Sequence, residues 1–147
     1  AVRACHTESN AAVCQDSCVE FFFAPSEDVY FNIEFSCIGT ALVGKGRDRH
    51  DRENLSPALI ETIRHAASLG TEPFEERLEE TQWWLTVAIP LELLGLSPAT
   101  LPGQTLYGNF YKCGDGLSTP HYLSWNPIDS PAPDFHRPEC FGRVRFA

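Results

Sequence analysis

Two stretches of the chain alternate apolar and polar residues with a period of two, which is typical of half-buried β-strands. They cover residues 17–24 and 29–38, and the turn-forming residues 25–28 separate them. The apolar positions that share one side are Val19, Phe21, Phe23, Phe31, Ile33, Phe35 and Cys37. The pattern therefore predicts an antiparallel hairpin with one apolar face.

The register of this hairpin follows from its apolar face, because a slip of one residue would turn every apolar side chain towards water. Pairing Ala24 with Tyr30 keeps these side chains together and sets Glu20 directly opposite Glu34, with Asn32 on the same side. Opposed residues lie about 5 Å apart at Cβ, so the two carboxylates need a bound cation, a shared proton, a nearby arginine or ligand hydroxyls. This polar side is interpreted as a solvated outer surface, a ligand-facing surface or a catalytic pair.

The rest of the chain adds strands and one helix. Further strands are predicted over residues 83–89, 106–113 and 142–146, with a short extended piece near 122–125. Ser56 as the N-cap, Pro57 at the first helical position and Gly70 as the stop predict a helix over residues 57–69. Together these elements predict an all-β fold, an antiparallel β-sandwich of the immunoglobulin or jelly-roll type with one inserted helix.

Composition narrows the classes of function. A chain of 147 residues has room for one domain with a core, and no apolar run approaches the ~20 residues of a membrane span. The net charge of −9 argues against nucleic acid, which requires clustered lysine and arginine, and leaves calcium as a candidate ion. The absence of methionine indicates either removal of an initiator residue or excision from a longer protein.

The six cysteines are thinly spread and include no C-x-x-C pair, so their spacing gives little support for a zinc site. Buried free thiols are the commoner outcome. The hairpin register places Cys18 and Cys37 on opposite faces, which argues against a bridge between them. A Cys18–Cys113 bridge becomes feasible if the strand that carries Cys113 neighbours the first strand.

Aromatic and amide side chains supply candidates for a ligand site. Trp125 lies in a loop rich in proline and histidine, where its ring is either offered to a ligand or plugs the core. Asn126 either binds a ligand hydroxyl or shapes the turn. The alternation of residues 83–89 turns Trp84 outward, where its ring could serve as an aromatic platform. Asn109 and Tyr111 share one strand face. Flat rings beside polar groups suit a sugar, whose CH faces stack on rings while its hydroxyls need polar partners.

Basic side chains supply a second set of candidates. His121 and His136 flank the same loop and could ligate a metal with neighbouring acids, or simply form hydrogen bonds within the loop. Arg137 could pair with one of the two hairpin glutamates or with an acidic sugar. The arginines within residues 47–52 alternate with acids and are interpreted as part of a solvated loop.

Six segments, taken in order, resemble the carbohydrate-binding module family 9-like domains. They are DSCVEFF (16–22), FNIEFSCIGT (31–40), the W-x₅-I-P strand end (83–90), GNFYKCGD (108–115), PHYLSWNPI (120–128) and FHRPECFG (135–142). The resemblance implies a sandwich that binds an oligo- or polysaccharide without catalysis, with aromatic rings around a terminal sugar and calcium in support of the fold. It also implies an extracellular or periplasmic module attached to, or encoded beside, polysaccharide-degrading enzymes.

Two departures from the family pattern shape the expectations. The family has several strands before the DSCVEFF segment, whereas only residues 1–15 precede it here. Residues 1–147 are therefore expected to form a single, N-terminally incomplete domain, whose missing strands or enzyme domain belong to a longer chain. Cys140 stands where a second aromatic residue is expected beside Phe141.

Two other functions stay open from the sequence. Some similar sandwiches, the DOMON-type domains, bind haem, and without methionine only histidine or lysine ligation would remain. A glycosidase is the other alternative, with Glu20 and Glu34 as its pair, because retaining glycosidases hold their two carboxyl groups about 5 Å apart.

Overall fold

The computed structural model describes residues 1–147, and its regular structure is almost entirely β. In chain order the strands are β1 (Val2–Ala4), β2 (Cys18–Ser26), β3 (Val29–Ser36), β4 (Ala41–Gly46), β5 (Arg52–Asn54), β6 (Arg64–Ala67), β7 (Phe74–Arg77), β8 (Leu85–Ala88), β9 (Thr105–Cys113), β10 (Tyr122–Ser124) and β11 (Gly142–Arg145). One short helix, α1, covers Pro57–Ile60, and 3₁₀ turns cover Val13–Gln15, Leu91–Leu94 and Pro138–Cys140. No helix is long and apolar enough to cross a membrane.

A seven-stranded antiparallel sheet organises the molecule, in the order β10-β9-β2-β3-β4-β5, with β11 also paired to β9. Two smaller sheets, β1 with β7 and β6 with β8, complete the architecture. The prediction of an all-β, antiparallel fold is confirmed.

The predicted register of the β2–β3 hairpin is confirmed residue by residue. Glu20 lies opposite Glu34 and Phe22 lies opposite Asn32. On the other side of β2, strand β9 sets Tyr111 opposite Glu20. The central sheet therefore has two faces of different chemistry: an apolar face, which carries Phe21, Phe23 and Ile33, and a polar face, which carries Glu20, Asn32, Glu34, Tyr111 and Cys113.

The apolar face forms the main core. Its buried members are Phe23, Phe31, Ile33, Phe35, Ala41, Val43, Ile60, Ile63 and Leu94. Leu85 and Val87 of β8 pack against them, so the chain between β5 and β9 supplies the second layer. Each fully buried side chain of this size stabilises the fold by roughly 1.5–3 kcal/mol relative to an exposed one.

The inserted helix begins where the sequence predicts but is shorter than the predicted span of residues 57–69. Pro57 occupies the first turn, and Ile60 and Ile63 are buried against the main core. Helix α1 ends at Ile60, and residues 64–67 form β6, which pairs with β8. A ladder with β8 satisfies the backbone groups of residues 64–67, so tertiary pairing overrides their local helix propensity.

The polar face is covered rather than open, which sequence reasoning did not foresee. Residues 126–141, here called the covering loop, lie across it and contribute Ile128, Phe135 and Phe141 to a second apolar cluster with Phe22 and Tyr30. Of the three interpretations of this side, the solvated outer surface is therefore wrong: Glu20 is 6% exposed, Glu34 5% and Asn32 0%. Strand β3 is therefore buried on both sides, as in a domain core.

Candidate functional site

A cleft of about 260 Å³ lies between the polar face, the covering loop and the loops that follow β4 and β9. The lining residues are Ala12, Cys14, Glu20, Glu34, Leu42, Arg49, Arg52, Cys113, Asp115, Tyr122, Pro133, Asp134, Phe135 and His136. Acids, arginines and aromatic rings thus converge in one concave surface. We call it the polar cleft.

Glu34 is the better compensated of the two facing carboxylates. The Asn32 side-chain amide donates to its Oε1 at 2.9 Å, and Nη1 of Arg52 lies 4.0 Å from the same oxygen. Burial raises the pKa of Glu34, while the Asn32 hydrogen bond and the Arg52 charge oppose that rise. The close fit requires glycine at position 44, since a Cβ there would collide with the Asn32 amide.

Glu20 has no such compensation. It forms no ion pair, and its Oε1 accepts from the Cys113 thiol at 3.1 Å. Burial raises the pKa of Glu20 well above its ordinary value, and the nearby Glu34 charge adds to that rise. Of the compensations expected for the carboxylate pair, a nearby arginine therefore serves Glu34, whereas Glu20 has only thiol partners.

His136 connects the covering loop to the sheet. Its Nδ1 lies 2.8 Å from the Tyr30 hydroxyl and its Nε2 lies 3.4 Å from Nη1 of Arg52. The guanidinium is always a donor, so Nε2 accepts and Nδ1 carries the proton that is donated to Tyr30. Burial, with the Arg52 charge in second place, lowers the pKa of His136 to about 4. The imidazole is therefore neutral at pH 7.

Aromatic rings form one wall of the polar cleft. Phe135 stacks on Tyr111 with ring centroids 4.2 Å apart, and the edge of Tyr122 approaches Phe135 at 6.3 Å. The Tyr111 hydroxyl donates to the Phe135 carbonyl at 3.2 Å, which holds the covering loop to β9. Tyr122 keeps 43% of its surface exposed, so its ring is accessible to a ligand.

The predicted ligand residues divide between the cleft and other places. Glu20, Glu34 and His136 line the polar cleft, and Asn32 and Tyr111 lie buried directly behind it. Asn109 is fully buried and exchanges hydrogen bonds with the Asn126 backbone, while the Asn126 amide donates to the Cys140 carbonyl. These two asparagines anchor the covering loop.

Trp125 lies on the opposite, apolar face of the sheet. It is 55% exposed and meets the half-exposed ring of Phe110 edge-on at 5.8 Å. Trp84 is also exposed, and it lines a shallow hollow with Val19 and Lys112 on that same side. The sheet therefore separates Trp125 from Glu20, Asn32 and Glu34, so these candidates do not belong to one site.

The remaining basic candidates do not converge on a metal. His121 hydrogen-bonds with the Lys112 ammonium at 2.6 Å, whereas His136 is bound to Tyr30. Arg137 pairs with Glu139 at 2.6 Å and so does not pair with Glu20 or Glu34.

Sequence reasoning missed the two arginines of the polar cleft. Arg52 opens β5 and Arg49 lies in the preceding turn, where it is 3.7 Å from Asp134 of the covering loop. Alternation with acids suggested solvated side chains, whereas the β3–β4–β5 meander places Arg52 beside Glu34. The sequence signal that could have identified Arg52 was the pair of facing glutamates, because two close carboxylates need a cation nearby.

An antiparallel sandwich with a mixed-charge, aromatic-walled cleft defines a ligand-binding module. The family model for carbohydrate-binding family 9 matches residues 1–146, and the chain belongs to that family. A protein from Bacteroides uniformis, whose crystal structure is described provisionally as that of a carbohydrate-binding protein, is 43% identical in sequence to this chain. It superposes with a TM-score of 0.93 over 99% of this chain and 68% of the other. No curated protein shows significant similarity.

Family membership assigns non-catalytic carbohydrate binding to this chain. The resemblance seen in the sequence is thereby confirmed. The haem-binding and glycosidase alternatives gain no support from the family or from the similar structure.

Proposed function

We propose that the polar cleft is where this chain binds its carbohydrate. The observation that supports it is the convergence of Glu34, Arg52 and His136 beside the exposed ring of Tyr122 in one concave surface. Clefts with a few placed polar groups and aromatic walls are the usual form of small-ligand sites. A sugar is the ligand class that uses the polar groups and the aromatic walls at once, through its hydroxyls and its CH faces.

The charge arrangement favours a neutral sugar. The cleft is lined by four carboxyl groups and two guanidinium groups, and this excess of acids disfavours an anionic sugar. A sugar hydroxyl both donates and accepts, so it can accept from a guanidinium and donate to a carboxylate in the same contact. Arg49 is the most adaptable of these groups, because its side chain is 59% exposed and only loosely paired with Asp134.

The exposed aromatic platform on the apolar face is a second candidate site. Trp125 and Phe110 present adjacent rings there, and the exposure of Trp125 is the observation that favours it. Exposed aromatic rings suit an extended polysaccharide surface, whereas a cleft suits a chain end or a short oligosaccharide. The platform lacks the carboxylate and guanidinium groups that would fix hydroxyl orientation, so we rank it second.

Tyr122→Ala should weaken oligosaccharide binding at least tenfold, which is about 1.4 kcal/mol. The reason is loss of the accessible ring at the mouth of the polar cleft. Calorimetric titration of the full chain against a panel of neutral oligosaccharides measures the effect. Trp125→Ala is the matched control, since it also removes an exposed ring, and it should change the affinity less than twofold.

Two results would count against this assignment. A large loss with Trp125→Ala and none with Tyr122→Ala moves the site to the platform. Silent titrations of the folded wild-type chain across neutral and acidic sugars contradict carbohydrate binding itself.

The wider role follows from the same proposal. A carbohydrate-binding module without a catalytic pair serves to hold a polysaccharide for an enzyme in the same chain or nearby, outside the cytoplasm. Family membership supports this role. Calcium stays a prediction: the one group of three ligating side chains close enough to share an ion contains two thiols, which suit a softer ion than calcium.

A further inference from the structure

Three metal-ligating side chains meet on the polar face where β2 and β9 pair. Cys18 lies directly opposite Cys113 in the antiparallel ladder, and Glu20 follows two residues later on the same face. Their ligand atoms all lie within 4.8 Å of one another. Oε1 of Glu20 is 3.1 Å from Sγ of Cys113 and 4.0 Å from Sγ of Cys18. The group is a convergent set of two sulfurs and one oxygen.

The interior position of this group makes it unusual. Cys18 is 0% exposed and Cys113 is 1% exposed. No cation of the protein forms an ion pair with the Glu20 carboxylate, whereas Arg52 lies beside Glu34. Buried carboxylates are normally paired or bound to a metal. The structure leaves this one with only thiol partners.

We propose that Cys18, Glu20 and Cys113 bind a zinc ion. Zinc accepts two thiolates and a carboxylate in tetrahedral sites, and ligands held 2.0–2.3 Å from one ion lie roughly 3.3–3.8 Å from each other. The two oxygen–sulfur separations, 3.1 and 4.0 Å, bracket that spacing. Thiolate ligands select zinc over calcium or magnesium. The proposal concerns a structural ion and does not rest on where a sugar binds.

The polar cleft supplies access and a fourth ligand. Glu20 and Cys113 both line it, and so does Cys14, whose carbonyl accepts from the Cys113 thiol at 3.7 Å. A water molecule from the cleft completes the coordination. Binding converts both thiols to thiolates and Glu20 to a carboxylate, and the protons pass to solvent.

A Cys18–Cys113 disulfide is the competing arrangement of the same residues. The position of Glu20 favours the ion, because its Oε1 lies close to both sulfurs and would remain as an uncompensated buried acid beside a disulfide.

Cobalt(II) titration of the reduced chain of residues 1–147 tests the proposal. We expect one equivalent to bind with a thiolate-to-cobalt charge-transfer absorption that zinc then abolishes. Cys18→Ser and Cys113→Ser should each remove the charge-transfer band. Cys140→Ser is the matched control, because Cys140 lies outside the group, and it should keep the full band.

Thermal unfolding with added zinc provides a readout for variants that fold poorly. Zinc should raise the Tm of the wild type and of Cys140→Ser, and Glu20→Gln should show a smaller rise. Absence of charge-transfer absorption in the folded, reduced protein would overturn the proposal. So would a band that survives Cys18→Ser, or a native disulfide between Cys18 and Cys113 that withstands mild reduction.

The outcome is separable from that of sugar binding. Metal titration requires no sugar, and sugar titration in the presence of a chelator requires no metal. A chain that binds zinc but no carbohydrate, or the reverse, tells the two proposals apart.

Discussion

Phe22→Ala should lower the free energy of unfolding by about 3–5 kcal/mol, which is the usual range for a fully buried phenylalanine. Phe22 is 0% exposed and lies at the centre of the polar face's apolar cluster. Its ring meets Tyr111 edge-on at 5.0 Å and His136 at 4.9 Å. Removal of the ring opens a cavity beneath the covering loop, which cannot collapse because Tyr111 and His136 are held by hydrogen bonds.

Urea unfolding of the two phenylalanine variants measures this effect. Phe110→Ala is the matched control, since Phe110 is 48% exposed on the opposite face of the sheet, and it should lower stability by about 1 kcal/mol. Equal losses for the two variants would mean that the covering loop does not close over the polar face in solution. The polar cleft would then lose one of its walls.

Glu20→Gln should stabilise the metal-free protein increasingly as the pH rises. Burial holds the pKa of Glu20 well above its ordinary value in the folded chain. A group with a raised folded pKa contributes stability below its unfolded pKa, near 4.5, and loses that contribution as the pH climbs through the folded value. The wild type should therefore lose up to about 1.4 kcal/mol per pH unit relative to the variant.

Urea unfolding between pH 5 and 8 in the presence of a chelator tests this expectation. Glu34→Gln is the matched control, because Arg52 and Asn32 already stabilise the Glu34 carboxylate, so its profile should diverge less from the wild type. Parallel profiles for the wild type and Glu20→Gln would mean that Glu20 is ionised in the fold at little cost. A cation or water would then have to compensate it.

The hairpin was predictable because its chemistry is local and periodic. Seven apolar side chains at a period of two fix the register, and the pairing of Glu20 with Glu34 then follows without any long-range information. The start of helix α1 was predictable for the same reason, since Pro57 acts locally. The end of helix α1 was not predictable, because residues 64–67 form a strand only when β8 lies beside them.

The cover of the polar face could not be predicted from the sequence. The covering loop has no period, and its anchors are hydrogen bonds between the side chains of Asn109, Asn126 and Tyr111 and backbone groups. Which face carries Trp125 depends on the register of β10 on β9, and that register sets Ser124 opposite Tyr111. Neither fact follows from local spacing. Cys18 and Cys113 likewise become neighbours only through the long-range pairing of β2 with β9.

A crystal structure of the chain with a bound oligosaccharide is the most direct test of the central claim. The account predicts the sugar in the polar cleft, with hydroxyls bonded to Arg52 and Glu34 and one ring face against Tyr122. A sugar stacked on Trp125 and Phe110, with the cleft occupied only by solvent, would contradict it.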